Sequence, residues 1–263
     1  MERVLSGTER IFDQASRELC GAEEMKRELG LRYAAVSERG RRERNEDSCF
    51  AGVIAGHHIF AIADGLGGHA SGDTASGIAV TTLEETVGDG LGDVKPSILL
   101  ERAFQNANTA LRAYNREKNQ NAASTLSAAI IDGSGRCWIG TVGDSRTYII
   151  TPPAIWHTRD QSYVQSLVDA GMLSSEEAIF HPRKNILTQA LGLETRVRVD
   201  LDERDITGSI LVMSSDGLHD YVPEDVIRDI AIADEPDVAC QRLVDAAKDA
   251  KSTDNITVIV ARK

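Results

Sequence analysis

IFAIADGLGGHASGDTAS, residues 59–76, changes its period halfway along. The first six residues are an apolar run that closes on Asp64 and read as a β-strand. Glycines at 65, 67 and 68 then break the pattern. From His69 to about Thr86 small residues such as Ala75 and Ala79 recur at helical spacing. A strand thus runs through an aspartate and a glycine-rich turn into a helix. Glycine lets a backbone come close to an ion or a phosphate, so the Gly65 carbonyl is a candidate cation ligand beside Asp64.

Working outward, LRYAAVS (31–37) and SCFAGVI (48–54) read as strands before this one, with AGHH as the turn between the second and third. A long helix is expected from about Ser97, just after Pro96, to Asn119, with Leu100, Phe104, Ala107, Leu111 and Tyr114 as its apolar stripe. TLSAAIID (125–132) and RCWIGTVGD (136–144) form a hairpin around Gly-Ser-Gly, and SRTYII (145–150) extends the same sheet until Pro152-Pro153. Residues 162–173 are helical, and Ser174 to Glu177 has the capping-box spacing. VRVDL (197–201), SILVMSSD (209–216) and DNITVIVARK (254–263) are strands, and Pro223 and Pro236 open two helices. Ile11, Ala15 and Leu19 mark a helix within residues 1–30. Strands dominate, helices come in pairs and no βαβ alternation occurs. The expectation is an α+β fold of antiparallel sheets covered by helices.

Four apolar runs meet an aspartate. Asp64, Asp144 and Asp216 each close a strand and Asp254 opens one. In an antiparallel sheet the end of one strand and the start of its neighbour share an edge. Asp216 and Asp254 are therefore expected side by side, with Asp64 joining from a neighbouring or facing strand. Clustered carboxylates repel and raise one another's pKa, so a fold keeps them together when a cation neutralises them. An all-oxygen set favours Mg²⁺ or Mn²⁺ over zinc. RRERNED (41–47) adds arginines, whose fork suits a phosphoryl group, and the acidic pair Glu46-Asp47, which can hold metal-bound waters.

Composition narrows the function classes. The 263 residues carry 41 acidic and 29 basic side chains, a net charge of −12 that repels nucleic acid and suits the gathering of cations. No stretch approaches the ~20 apolar residues of a membrane helix. The N-terminus lacks the apolar core of a secretory signal, so a cytoplasmic protein is expected. Cys20, Cys49, Cys137 and Cys240 are scattered and read as free thiols.

Seven motifs stand in order: R-x-x-N-E-D (42–47), D-G-x-G-G-H (64–69), S-T-L-S-A-A (124–129), G-D-S-R (143–146), L-T-Q-A-L-G (187–192), S-D-G-L (215–218) and D-N-I-T (254–257). In this the chain resembles the bacterial branch of the PPM or PP2C-type serine/threonine protein phosphatases over residues 31–263. The resemblance implies a four-layer α-β-β-α sandwich, two antiparallel sheets face to face with a helix pair on each outer side. It implies two, or with a weaker site three, Mn²⁺ or Mg²⁺ ions. By position Asp64 bridges two ions and Gly65 gives its carbonyl. Asp216 and Asp254 complete the second ion's ligands, Asp144 and Asp220 join Asp216 at the third, Glu46 and Asp47 hold waters, and Arg42 binds the substrate phosphate. The implied reaction is direct attack of a metal-bridging hydroxide on phosphoserine or phosphothreonine, opposing a serine/threonine kinase.

The resemblance further implies a mobile flap over about 160–192, where Arg183 and Lys184 lie. Two positions depart from the pattern. Leu66 stands where eukaryotic members often carry histidine, which leaves the proton for the leaving group to a metal-bound water. Gln161 stands where many bacterial members have histidine. His69 is given a structural role. Residues 1–30 fall outside the family core. A monomer is expected, since no long apolar stripe is left over. Two rival readings remain: a pseudophosphatase acting as a binding module, and a phosphohydrolase of nucleotides or small phosphates.

Overall fold

The computed structural model describes residues 30–67 and 71–263. The helix expected within residues 1–30, Cys20 and the role of His69 lie outside them. The first two strands of the sheet that carries Asp64, β2 (Asp47–Ile54) and β3 (His57–Leu66), form a two-residue hairpin. Both turn residues, Ala55 (φ 46°) and Gly56 (φ 77°), are left-handed, as a tight hairpin with the natural strand twist demands. β4 (Ala123–Ser124) pairs with the end of β3. β5 (Leu126–Ile131) and β6 (Arg136–Val142) follow, and β9 (Asp200–Asp205) closes the six-stranded sheet in the order β2-β3-β5-β6-β9.

The facing sheet holds β1 (Arg32–Glu38), β7 (Arg146–Thr151), β8 (Ala154–His157), β10 (Ile210–Ser214) and β11 (Ile256–Arg262), in the order β1-β11-β10-β7-β8. Every strand pairing is antiparallel. Phe60, Ile62, Ala129, Ile139, Leu211, Met213 and Ile259 fill the space between the sheets. The outward side chains of the first sheet, among them Ile59, Ala61 and Ile130, pack under α1 (Gly72–Gly90) and α2 (Pro96–Lys118). Those of the second, Tyr148, Val212 and Val258 among them, pack under α6 (Glu224–Ala233) and α7 (Pro236–Asp249). Each such fully buried large side chain contributes roughly 1.5–3 kcal/mol. The four-layer sandwich expected from the sequence is the fold.

Three short helices lie outside these layers: α3 (Tyr163–Asp169), α4 (Ser175–Ile179) and α5 (Asp216–His219). Ser174 and Glu177 form both bonds of the capping box.

Two sequence expectations need correction. SRTYII does not extend the sheet of β6. At Gly143 (φ +100°) the chain turns and crosses to the facing sheet, where β7 pairs with β10. The alternation of side chains is the same in either sheet, so pattern alone does not say which one a strand joins. The strand expected at 197–201 begins at Asp200 and runs to Asp205. The short β8 after Pro153 was not foreseen. Cys49, Cys137 and Cys240 are free, and burial pushes their thiols up, to about 12 for Cys49 and Cys240.

Candidate metal centre

The carboxylates meet at one end of the sandwich. β10 and β11 are antiparallel, with Ser214 opposite Val258, so Asp216 just past β10 and Asp254 just before β11 emerge at the same edge. In the other sheet Asp47, which opens β2, stands directly opposite Asp64 near the end of β3. Asp144 lies in the crossover between the sheets, and Asp220 directly follows α5. Asp64, Asp144, Asp216 and Asp254 are the strand ends singled out from sequence.

Hydroxyls and amides fix the cluster's backbone. Asp64 N donates to Thr125 Oγ1 at 2.8 Å, while Thr125 N and Ser124 Oγ both donate to Asp64 O. Asp47 Oδ2 accepts from Ser215 Oγ (2.8 Å) and Thr257 Oγ1 (2.7 Å), which ties β2 to the opposite sheet. Asn255 clamps the arginine loop. Its Nδ2 donates to Arg39 O and Arg44 O, each at 2.8 Å, and its Oδ1 accepts from Glu46 N at 2.9 Å. Sequence reasoning quoted Thr125, Ser215, Asn255 and Thr257 inside motifs but gave them no task. The task depends on partners up to 216 residues away, as in Asn255 to Arg39. Gln161 likewise acquires a role: its Oε1 accepts from Gly143 N and its Nε2 donates to Asp200 Oδ2, bracing the crossover.

Glycine permits the close approach. A Cβ on Gly65 would lie 2.0 Å from Gly72 O and 2.7 Å from Glu46 O, and one on Gly217 would lie 1.8 Å from Asn255 O. Contacts that short leave no space for any side chain at either position.

The electrostatics of the cluster are those of crowded acids. Burial, then the carboxylates of Asp216, Asp47, Asp144 and Asp254, holds Asp64 well above the usual range. Burial, then Asp144, Asp254 and Asp220, does the same to Asp216. Asp144 is pushed up to about 7 by burial with Asp160 and Asp220 behind it, and Asp47 to about 6, chiefly by burial. Glu46 is raised by burial. Burial works to lower the Arg42 guanidinium, but Asp254, with Asp216 and Asp64, outweighs it and the pKa is raised.

Two basic side chains touch the rim. Arg42 Nη2 donates to Asp254 Oδ2 at 2.6 Å, and Lys184 Nζ to Asp220 Oδ2 at 2.6 Å. With Arg42 on one oxygen of Asp254 and Asn255 N on the other at 2.8 Å, the carboxylates converge without closing. Among the described residues no three His, Cys, Asp or Glu side chains form a ready cage.

The donor set nevertheless fits hard divalent cations. It is all oxygen, and Asp47 Oδ1 and Asp216 Oδ1 are buried with no hydrogen-bond partner among the described residues. A buried, unpaired carboxylate oxygen is costly unless a cation or proton meets it.

Comparison with known proteins identifies the family of this fold. The protein phosphatase 2C family profile matches residues 36–235. The serine/threonine protein phosphatase PstP of Mycobacterium tuberculosis is 34% identical over 242 residues, 89% of this chain but 45% of that protein. The chain thus spans less than half the length of this relative. The serine/threonine phosphatase stp of Listeria monocytogenes is 33% identical over 86% of this chain and 94% of its own. The crystal structure of the PstP catalytic domain in complex with two manganese ions superposes with a TM-score of 0.78, at 33% identity, over 88% of this chain and 97% of that one. The chain belongs to the protein phosphatase 2C family.

Proposed function

We propose that the chain is a metal-dependent phosphatase that removes phosphate from phosphoserine and phosphothreonine in proteins. The observation that carries this reading is the convergence of Asp64, Asp216 and Asp254 from two facing sheets, with a buried oxygen of Asp216 left unpaired. Asp64, the Gly65 carbonyl, Asp216 and Asp254 would hold two Mn²⁺ or Mg²⁺ ions, Asp144 and Asp220 with Asp216 a third, and Glu46 and Asp47 their waters. The bound ions would supply Lewis-acid charge and an acidified water.

The chain's own residues do the rest. Arg42 is more than half exposed at the rim, and its fork matches a phosphoryl group bidentately. Asn255 fixes the loop that carries it. Ser215 and Thr257 hold one oxygen of Asp47 and leave the other buried without a hydrogen-bond partner among the described residues. Leu66, 37% exposed at the end of β3, offers no proton, so the leaving alkoxide takes its proton from water.

Residues 31–263 form the catalytic domain in this reading, with 160–192 as a flap and 1–30 as an appended segment. The substrates are phosphoproteins, the opposing activity a serine/threonine kinase, and the protein a cytoplasmic monomer. Among the described residues no helix is long and apolar enough to cross a membrane.

The test is phosphate release from a phosphothreonine peptide with Mn²⁺ and with EDTA, beside nucleotides as competitors. Peptide turnover that requires Mn²⁺ supports the proposal. Turnover of nucleotides alone would favour a small-molecule phosphohydrolase, and metal binding without turnover a pseudophosphatase.

A further inference from the structure

The Arg42–Asp254 pair lies where a phosphate-binding side chain and a cation-binding one meet. Arg42 Nη2 donates to Asp254 Oδ2 at 2.6 Å. The guanidinium also feels Asp216 and Asp64 behind it, so one arginine serves as counter-charge to the three carboxylates assigned to the metals. A guanidinium and a divalent ion at one carboxylate repel each other, and both draw on the same negative charge.

The surroundings make the arginine able to leave. Its side chain is 53% exposed against 25% for Asp254, so it sits on the outer side of the pair. Its second hold, Nε to Thr253 O, is long at 3.3 Å. The backbone on both sides is fixed, by Asn255 to Arg39 O, Arg44 O and Glu46 N, and by Gly40, whose φ of +59° lets the chain press against Asp254 O. Asp254 is held in place by the bond from Asn255 N to its Oδ1. Loop and carboxylate stay, and the arginine side chain alone has freedom to swing.

We propose that Arg42 is an exchangeable counter-ion, bound to Asp254 until a divalent ion takes that carboxylate, and thereby released toward solvent where it meets the substrate phosphate. The inference rests on the metal-site reading above. It makes the phosphate arm available only to a loaded site, and by reciprocity it makes Arg42 a competitor of the metal. Replacing Arg42 therefore strengthens metal binding, although the same residue serves the substrate.

Calorimetric titration of the full chain with Mn²⁺ tests this on the parent, Arg42→Gln and Arg42→Lys. Arg42→Gln should bind Mn²⁺ roughly 5- to 150-fold more tightly, the usual range for such coupling, and Arg42→Lys should stay near the parent. Melting separates the competition from a general change in stability. Arg42→Gln should melt below the parent in EDTA, having lost a counter-ion, and gain more from Mn²⁺. A parent that binds Mn²⁺ and an Arg42→Gln variant of equal or weaker affinity overturn the exchange while leaving the metal site intact. A folded parent that binds no Mn²⁺ overturns the metal-site reading and the exchange with it.

Discussion

The two ends of the sandwich each bury titratable groups whose polar atoms lack partners, and they do so in opposite ways. At one end four chain segments bring Asp47, Asp64, Asp216 and Asp254 together, and their mutual repulsion adds to the cost of burial. At the other end of the same strand β3, His58 is 2% exposed between Tyr33 and Phe60, and among the described residues neither ring nitrogen has a hydrogen-bond partner. A lone base solves its problem by staying neutral: burial lowers His58 to about 4. A group of acids cannot solve it so cheaply, because each proton taken up serves one carboxylate while a single divalent cation serves several. Orphaned atoms on a lone neutral side chain therefore mark a tolerated core residue, whereas orphaned atoms within a converging like-charge cluster mark a site that awaits a ligand.

The largest test of that contrast is Asp216→Asn. The change keeps shape and removes one charge from the crowded end. Metal-derived stabilisation of the transition state is worth several kcal/mol, so peptide hydrolysis should fall by roughly 10³-fold. Stability should move the other way. In EDTA the variant should melt higher than the parent, because one repelled, buried carboxylate is gone. Saturation with Mn²⁺ at about 100 times its Kd should stabilise the parent by about 2.7 kcal/mol, or roughly 5–10 °C in Tm, and the variant by much less. A parent whose melting temperature is the same in Mn²⁺ and EDTA would remove the distinction between the two ends.

A smaller effect is expected at Asn255, which carries no charge and binds no phosphate in this reading. Asn255→Ala removes three hydrogen bonds to the loop, at about 1 kcal/mol net each, so a loss of roughly 2–3 kcal/mol is expected. Because the loop carries Arg42 and Glu46, KM for the peptide should rise together with the loss of stability. Unchanged kinetics in the variant would show that the loop holds its place without the clamp.

Asn255 also shows where sequence reading stopped. Asp64, Asp144, Asp216 and Asp254 were legible because each sits where an apolar run ends, and strand ends in antiparallel sheets share an edge by construction. Antiparallel sheets covered by helices were legible from period and order, and the four layers from the family resemblance. The assignment of strands to sheets was not. SRTYII alternates as well in one sheet as in the other, and only the turn at Gly143 sends it across. The supporting hydroxyls and amides of Thr125, Ser215, Asn255 and Thr257 were not legible as supports either. A serine or threonine in a buried strand carries no mark of the partner it will meet, and these partners come from distant segments. Motif order supplied the names of these residues, and three-dimensional contact their work.

His58 provides the smallest and most specific test. Its folded pKa of about 4 lies below the ordinary 6.5 of histidine. As pH falls through about 6.5 the unfolded chain takes up a proton that the folded chain refuses, so stability is lost from there down to about 4, where the folded protein protonates too. The full shift discounted for partial solvent screening gives about 2 kcal/mol. The carboxylate cluster titrates over part of this range, so the parent alone does not isolate the effect. The difference between the parent and His58→Phe does, since the variant keeps the aromatic packing and lacks the proton site. Urea unfolding at pH 7 and pH 4.5 should show the parent losing about 2 kcal/mol more than the variant. Equal losses would mean that His58 finds a partner for its proton in solution, and that the quiet end of the sandwich is less dry than its burial shows.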